Sequence, residues 1–250
     1  MTARFTGKVV LITGGGTGIG RATALAFGRE GATVMVSGRR AEPLAETVKL
    51  IEAEGGRADH ATADVSRSAD VERLVATTVA RHGGLHVAFN NAGVLGAGPV
   101  PDLDEDTWNA MVGTNLTGVF LSMKHEIAHM RGNGGGTIVN TASNPVTAVP
   151  GLGAYAATKE AVVALTRAAA RDAIGDGVRI TAVAPGPVDA PMTFLPGEAP
   201  ADRDARLAPH IPIGRVGGAA EIAAAVLWLA SPESAFVVGH GLVIDGGVSA

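Results

Sequence analysis

An α/β fold, a single-domain doubly wound parallel seven-stranded sheet with helices on both faces, is what this 250-residue chain predicts. Three observations lead there. Short β-branched runs alternate with longer Ala-rich amphipathic segments from end to end. Runs such as Val9-Val10-Leu11-Ile12 are apolar at successive positions, as strands buried on both faces require. No composition shift marks a domain boundary and no repeat recurs, so residues 1–250 read as one domain.

In chain order, the strand Lys8–Thr13 leads through a glycine-rich turn into a helix at Ile19–Glu30. Strand and helix then alternate through Thr33–Ser37, Pro43–Glu54, Ala58–Ala63, Ala69–His82 and His86–Asn90. A long helical run, Glu105–Arg131, precedes the strand Thr137–Thr141. The segment Ala154–Ala173 has few helix breakers and is followed by the strand Arg179–Ala184. Gly186 to Gly218 is rich in Pro and Gly, with room for a short helix around Asp202–Ala208. A loop this long in a compact domain reads as a lid or binding loop, here about 187–218. The helix Ala219–Ala230 and the strand Gly241–Ile244 complete the pattern.

Composition narrows the function. An apolar fraction of 46% with 18% charged residues describes a soluble globular chain with a large core. Twenty basic against twenty-four acidic side chains, a net charge of −4, argue against a nucleic-acid or anionic-membrane surface. Zero cysteines exclude disulfides, thiolate catalysis and Cys-based metal sites. No apolar run approaches membrane-spanning length and the first residues do not resemble a signal peptide, so a cytoplasmic location is expected.

Two motifs carry chemistry. Thr13-Gly14-Gly15-Gly16-Thr17-Gly18-Ile19-Gly20 follows the first strand and opens a helix. Glycines let the backbone turn sharply against a pyrophosphate, whose charge a helix N-terminus favours, so a dinucleotide is the expected ligand. Farther on, Tyr155, the only tyrosine, and Lys159 stand at i and i+4 on one helix face. A fixed cation there would lower the pKa of a phenol that otherwise titrates near ~10.

Together these motifs resemble the short-chain dehydrogenase/reductases. The resemblance covers about Lys8 to Gly247: Thr13–Gly20, Asn90-Asn91-Ala92-Gly93, Asn115 to Phe120, Ser143, Tyr155 with Lys159, and Pro185-Gly186. It implies a Rossmann fold and an NAD(P)-dependent oxidoreductase that interconverts a ketone and a secondary alcohol. Tyr155 would be the acid/base, with Lys159 lowering its pKa and holding the nicotinamide ribose. Ser143 would bind the substrate oxygen. Asn115 would kink its helix and hold a water against Lys159. The resemblance places the cofactor against Gly14, Thr17, Gly18, Ile19, Gly20, Asp64, Val65, Asn91, Ala92, Gly93, Asn115, Tyr155, Lys159, Pro185, Gly186 and Val188, with Asn90 and Gly93 beside the adenosine ribose. A homotetramer is also implied.

At the end of the second strand, Gly38 occupies the position where NAD-selective members carry an Asp, and Arg39 follows. An arginine suits a 2′-phosphate, which favours NADP(H) over NAD. Asp64 could instead serve as an Asx cap for the next helix. Two departures stand out. Ser143 precedes Tyr155 by twelve residues, one fewer than in most members, and Ala190 stands where a Thr commonly bonds the nicotinamide amide.

Leu95, Leu152 and Met192, with Ser143 and Asn144, are candidate substrate contacts, and Val94, Val146, Phe194 and Leu195 flank the same cleft. Their apolar character suits a nonpolar ketone or alcohol. Reduction of 3-oxoacyl groups on a carrier protein or CoA is the alternative, disfavoured by the uncharged run Gly132-Asn133-Gly134-Gly135-Gly136. A remote alternative is a zinc hydrolase. His125-Glu126-Ile127-Ala128-His129 fits H-E-x-x-H, but Gly135 stands where a third histidine would fall, so no metal site is expected.

Overall fold

The computed structural model describes residues 3–143 and 149–250. Seven strands, β1 (Val9–Thr13), β2 (Thr33–Gly38), β3 (Arg57–Thr62), β4 (Val87–Asn90), β5 (Gly136–Thr141), β6 (Val178–Pro185) and β7 (Gly241–Ile244), form one sheet. Their order is β3-β2-β1-β4-β5-β6-β7, and every pairing is parallel. The winding reverses between β1 and β4, whose ends are in register at Thr13 and Asn90. Such a switch point opens a crevice beyond the carboxyl ends of the strands, where ligands bind.

The alternation of side chains along a strand divides each apolar run between two cores. Val10 and Ile12 of β1 pack with Phe27, Leu44, Ile51 and Val226 on one face. Leu11 packs with Leu74, Val119, Met123 and Val162 on the other. Helices α1 (Gly18–Arg29), α2 (Ala41–Ala53) and α8 (Ala219–Ala230) therefore cover the first face. Helices α3 (Ser68–His82), α5 (Gly118–Met130) and α6 (Gly153–Ala173) cover the second.

The expected long helix Glu105–Arg131 is interrupted. Helix α4 (Glu105–Met111) passes into a π turn at Val112–Thr117 before α5 begins, and the backbone stays right-handed helical across both junctions. The short helix expected around Asp202–Ala208 is α7 (Pro200–Leu207), started by a proline in the first turn. The segment between β6 and α8 is closed at its base by Asp189 N–H to Gly217 O at 2.8 Å and Gly217 N–H to Pro187 O at 3.0 Å. Arg179, buried on β6, donates from Nη2 to Leu229 O at 2.6 Å and Ser231 O at 3.0 Å, satisfying the C-terminal end of α8. No helix among the described residues is long and apolar enough to cross a membrane.

Candidate active site

The glycine turn is shaped by close approach. Gly14 and Gly18 have φ of +65° and +52°, a region that favours glycine. A Cβ on Gly20 would run into the Gly14 carbonyl oxygen and come within 2.6 Å of Asn91 Nδ2. Thr17 enters α1 in extended backbone and its side chain forms no cap, which leaves the first N–H groups of the helix to an anion. The turn is braced from behind, where the buried Thr47 of α2 donates to Gly15 O at 3.0 Å. This cradle fits a dinucleotide pyrophosphate.

Around it, Arg39 is exposed at the end of β2 and has no hydrogen-bond or ion-pair partner among the described residues. Asp64 does not cap α3, which begins after Arg67; its Oδ1 accepts from Ser66 N at 3.0 Å and Ser66 Oγ at 2.7 Å in an Asx turn. Val65 is a packing residue, with Ala92 against it and Gly118 approaching so closely that a Cβ there would lie 2.7 Å from Val65 Cγ2. Gly186 answers to a neighbour as well, since a Cβ on it would lie 2.7 Å from Asp245 Cβ.

The tetrapeptide after β4 divides its labour. Asn91 Nδ2 donates to Thr13 O and Gly14 O, both at 3.2 Å, tying β4 to the glycine turn. Thr13 Oγ1 accepts from the N–H groups of Asn91 at 3.1 Å and Ala92 at 3.2 Å. Asn90, expected beside the adenosine ribose, points the other way: its Nδ2 donates to Glu126 Oε2 and Asn140 Oδ1, both at 3.0 Å, inside the core. Gly93 lets the chain press on the catalytic end, since a Cβ there would lie 3.4 Å from Asn115 Oδ1 and 3.6 Å from Lys159 Nζ.

Asn115 lies within the π turn, fully buried. Its Oδ1 accepts from Val94 N–H at 2.8 Å, and its Nδ2 donates to Val94 O at 2.9 Å and Thr158 Oγ1 at 3.2 Å. Lys159 Nζ donates to Thr141 O at 2.8 Å and sits 5.8 Å from the Tyr155 ring centre. The Tyr155 hydroxyl donates to Met192 Sδ at 3.9 Å, and the Ser143 hydroxyl lies near enough to the phenol to act against the rise in its pKa. Ser143 Oγ also reaches Pro185 O at 3.5 Å. Four side chains named from sequence, Asn115, Ser143, Tyr155 and Lys159, thus meet beyond the ends of β4 and β5.

Burial dominates the electrostatics of this group. It pushes the Tyr155 phenol above its usual range, opposed by the Ser143 hydroxyl. Burial brings Lys159 down to about 8.

Among the candidate substrate contacts, Leu95 and Met192 are each 41% exposed and Leu152 is half-buried. Asn144 and Val146 lie outside the described residues. Val188 O accepts from Thr193 Oγ1 at 3.0 Å. Thr13, Thr141 and Thr158 were missed in the sequence, although Thr13 and Thr158 sit inside the two motifs that were read. The zinc reading fails on direction: Glu126 is buried against Asn90, whereas His125 faces Ser68 Oγ at 3.1 Å. No cluster of metal-ligating side chains occurs among the described residues.

Known proteins agree with this geometry. A family model described as enoyl-(acyl carrier protein) reductase matches residues 14–249. The chain is 42% identical to 2,5-dichloro-2,5-cyclohexadiene-1,4-diol dehydrogenase of Sphingobium indicum, over 98% of each chain. It is 37% identical to cyclohexanol dehydrogenase of an Acinetobacter species, over 98% of this chain and 96% of that protein. A crystal structure of a short-chain dehydrogenase/reductase from Mycobacterium marinum superposes with a TM-score of 0.93 at 34% identity, covering 100% of this chain and 98% of the other. A seven-stranded parallel sheet with a glycine turn at its switch point, and relatives of this identity along the whole chain, make the protein a member of the short-chain dehydrogenase/reductase family, NAD(P)-dependent oxidoreductases acting on CH–OH groups.

Proposed function

We propose that the enzyme interconverts a cyclic secondary alcohol and its ketone, with NADP(H) preferred over NAD(H) and Tyr155 as the acid/base. The convergence of Tyr155, Ser143 and Lys159 within reach of the glycine turn carries this reading. When bound, the nicotinamide nucleotide supplies or accepts the hydride. In reduction Tyr155 gives its Oη proton to the carbonyl oxygen; in oxidation the phenolate takes the proton of the alcohol. Ser143 donates to the same oxygen as charge develops on it. Lys159, held by Thr141 O, supplies a cation beside the phenol and a donor for the nucleotide ribose. Asn115 fixes Val94 and, through Thr158, the helix that carries the pair.

The unpaired Arg39 and the absence of a carboxylate at Gly38 support NADP. Ring alcohols in the names of two relatives, and the apolar side chain of Met192 with its sulfur 3.9 Å from the phenol oxygen, support the substrate class, with Leu95 and Leu152 as further candidate contacts. The segment 187–218 would be the lid over the site. Exposed Trp228, Phe236, Val238 and Val243 around α8 and β7 support a homotetramer, and the cytoplasm is the proposed location. Light scattering would test the assembly.

The deciding experiment is Tyr155→Phe, assayed on a panel of cyclic and acyclic alcohols and ketones with both nucleotides. Turnover should fall below roughly one part in a thousand while NADPH still binds. Undiminished turnover would overturn the mechanism, and activity confined to acyl thioesters would replace the substrate class.

A further inference from the structure

The segment between β6 and α8 holds a buried arginine that the chemistry above does not use. Arg203, on α7, has a side chain only 5% exposed, whereas the carboxylates it meets lie outside it. Its Nη1 donates to Asp189 Oδ1, and its Nε and Nη2 donate to Asp204 Oδ1 at 2.9 and 2.6 Å. The guanidinium carbon lies 4.4 Å from the centre of the Phe194 ring. One side chain therefore clamps the start of the segment, its middle and its helix.

The residues just after Asp189 give this clamp a purpose. Ala190 and Pro191 abut the first turn of α1, close enough that a Cβ on Gly18 would lie 3.1 Å from Ala190 Cβ and 3.3 Å from Pro191 Cδ. Met192 reaches Tyr155, its sulfur 3.9 Å from the phenol oxygen. Residues 190–192 thus span from the phosphate-binding turn to the catalytic hydroxyl. Ala190 has no polar atom in its side chain with which to hold a ligand, so its placement depends on the backbone. That backbone is set on one side by Asp189 N–H on Gly217 O at 2.8 Å and on the other by the Asp189 carboxylate on Arg203.

We infer that Arg203 is a positioning residue for cofactor binding: through Asp189 and Phe194 it fixes Ala190–Met192 against the nucleotide site. The inference rests on the proposed nucleotide-dependent function. A planar, forked cation suits the task because it bonds two carboxylates in its plane while stacking on a ring with its face. Lysine can keep the charge but not both contacts. The nearby pair of Arg206 and Glu198 ties a different part of the segment, Nη2 to Oε2 at 2.7 Å and Nη2 to Thr193 O at 2.9 Å, and holds α7 where Arg203 needs it.

The test uses Arg203→Gln, Arg203→Lys and Asp189→Asn, singly and with Arg203→Gln and Asp189→Asn combined, in the full-length enzyme. NADPH affinity is read from nicotinamide fluorescence, and chymotryptic cleavage at Phe194 or Leu195 is read without nucleotide. Each single variant should bind NADPH roughly tenfold more weakly, with a matching rise in KM for NADPH and a much smaller change in kcat. The double variant should lose no more than the worse single one, and cleavage should speed up while Tm moves little. Arg203→Lys should not restore affinity. Unchanged NADPH affinity in Arg203→Gln, or additive losses in the double variant, would overturn the inference. If the unaltered enzyme bound neither NADPH nor NADH, the cofactor reading would fall by itself. Chymotryptic cleavage would then decide the clamp, and equal rates with and without Arg203 would overturn it.

Discussion

Asn115 replaces a missing strand partner for Val94, accepting its N–H at 2.8 Å and donating to its carbonyl at 2.9 Å from one buried amide. The loop leaving β4 is thereby hydrogen-bonded to a helix, and Gly93 is held against Lys159. Asn115→Ala leaves both Val94 groups without this partner. It should cost about 2–4 kcal/mol of stability by urea titration, since each unmet buried group costs about 1–3 kcal/mol. An unchanged midpoint would show that the clamp is dispensable.

Gly20→Ala puts a methyl group where the Gly14 carbonyl oxygen and Asn91 Nδ2 already sit. Both partners are held by the end of β1, so the glycine turn itself must move. NADPH and NADH affinity should both fall by roughly tenfold or more, equivalent to about 1.4 kcal/mol or more, because the altered backbone contacts the shared pyrophosphate. A titration showing loss of only one nucleotide would point to a different site for the turn.

Arg39→Ser removes the unpaired cation at the end of β2. The kcat/KM for NADPH should fall by roughly tenfold or more while that for NADH changes little, a charge-assisted phosphate contact being lost from one nucleotide alone. Parallel decline with both nucleotides would assign Arg39 to the adenine or to the fold.

Glu126 supplies a pH signature. Buried with Asn90 as its polar partner, its carboxyl is raised from 4.5 to about 7. The folded protein therefore keeps a proton between those two values that the unfolded chain has released. Stability from this group is complete below about 4.5 and is lost as pH climbs through about 7. The loss approaches about 3 kcal/mol, at about 1.36 kcal/mol for each unit. Glu126→Gln, which cannot ionise, should flatten this decline, so the Tm gap between variant and parent should widen in the variant's favour from pH 5 to pH 8. Parallel Tm profiles would contradict a buried ionising carboxyl.

Most of the architecture was legible because parallel strands buried on both faces show as unbroken apolar runs, as in Val9 to Ile12, and helices as Ala-rich amphipathic stretches. The motif residues were legible because few side chains can replace them. What remained hidden were matters of direction. β4 is buried on both sides, so no alternation of polarity could show that Asn90 faces the core while Asn91 reaches the glycine turn. Glu126 and Arg203 are charged residues that sequence alone assigns to solvent, and only the folded chain shows them enclosed. Helical propensity does not distinguish α from π winding, so the change at Val112–Thr117 left no trace in composition.

That π turn also limits how the gene can change. A π turn takes in one residue more than an α turn, so removing one residue inside Val112–Thr117 would leave ordinary helix there with the flanking helices still in phase. Glu126 and Met123 would keep their places in the core, while Asn115 would lose the widened backbone from which its amide reaches Val94. The loss of a codon in this stretch would therefore be felt where Asn115 grips the loop after β4, and not along the buried face of α5.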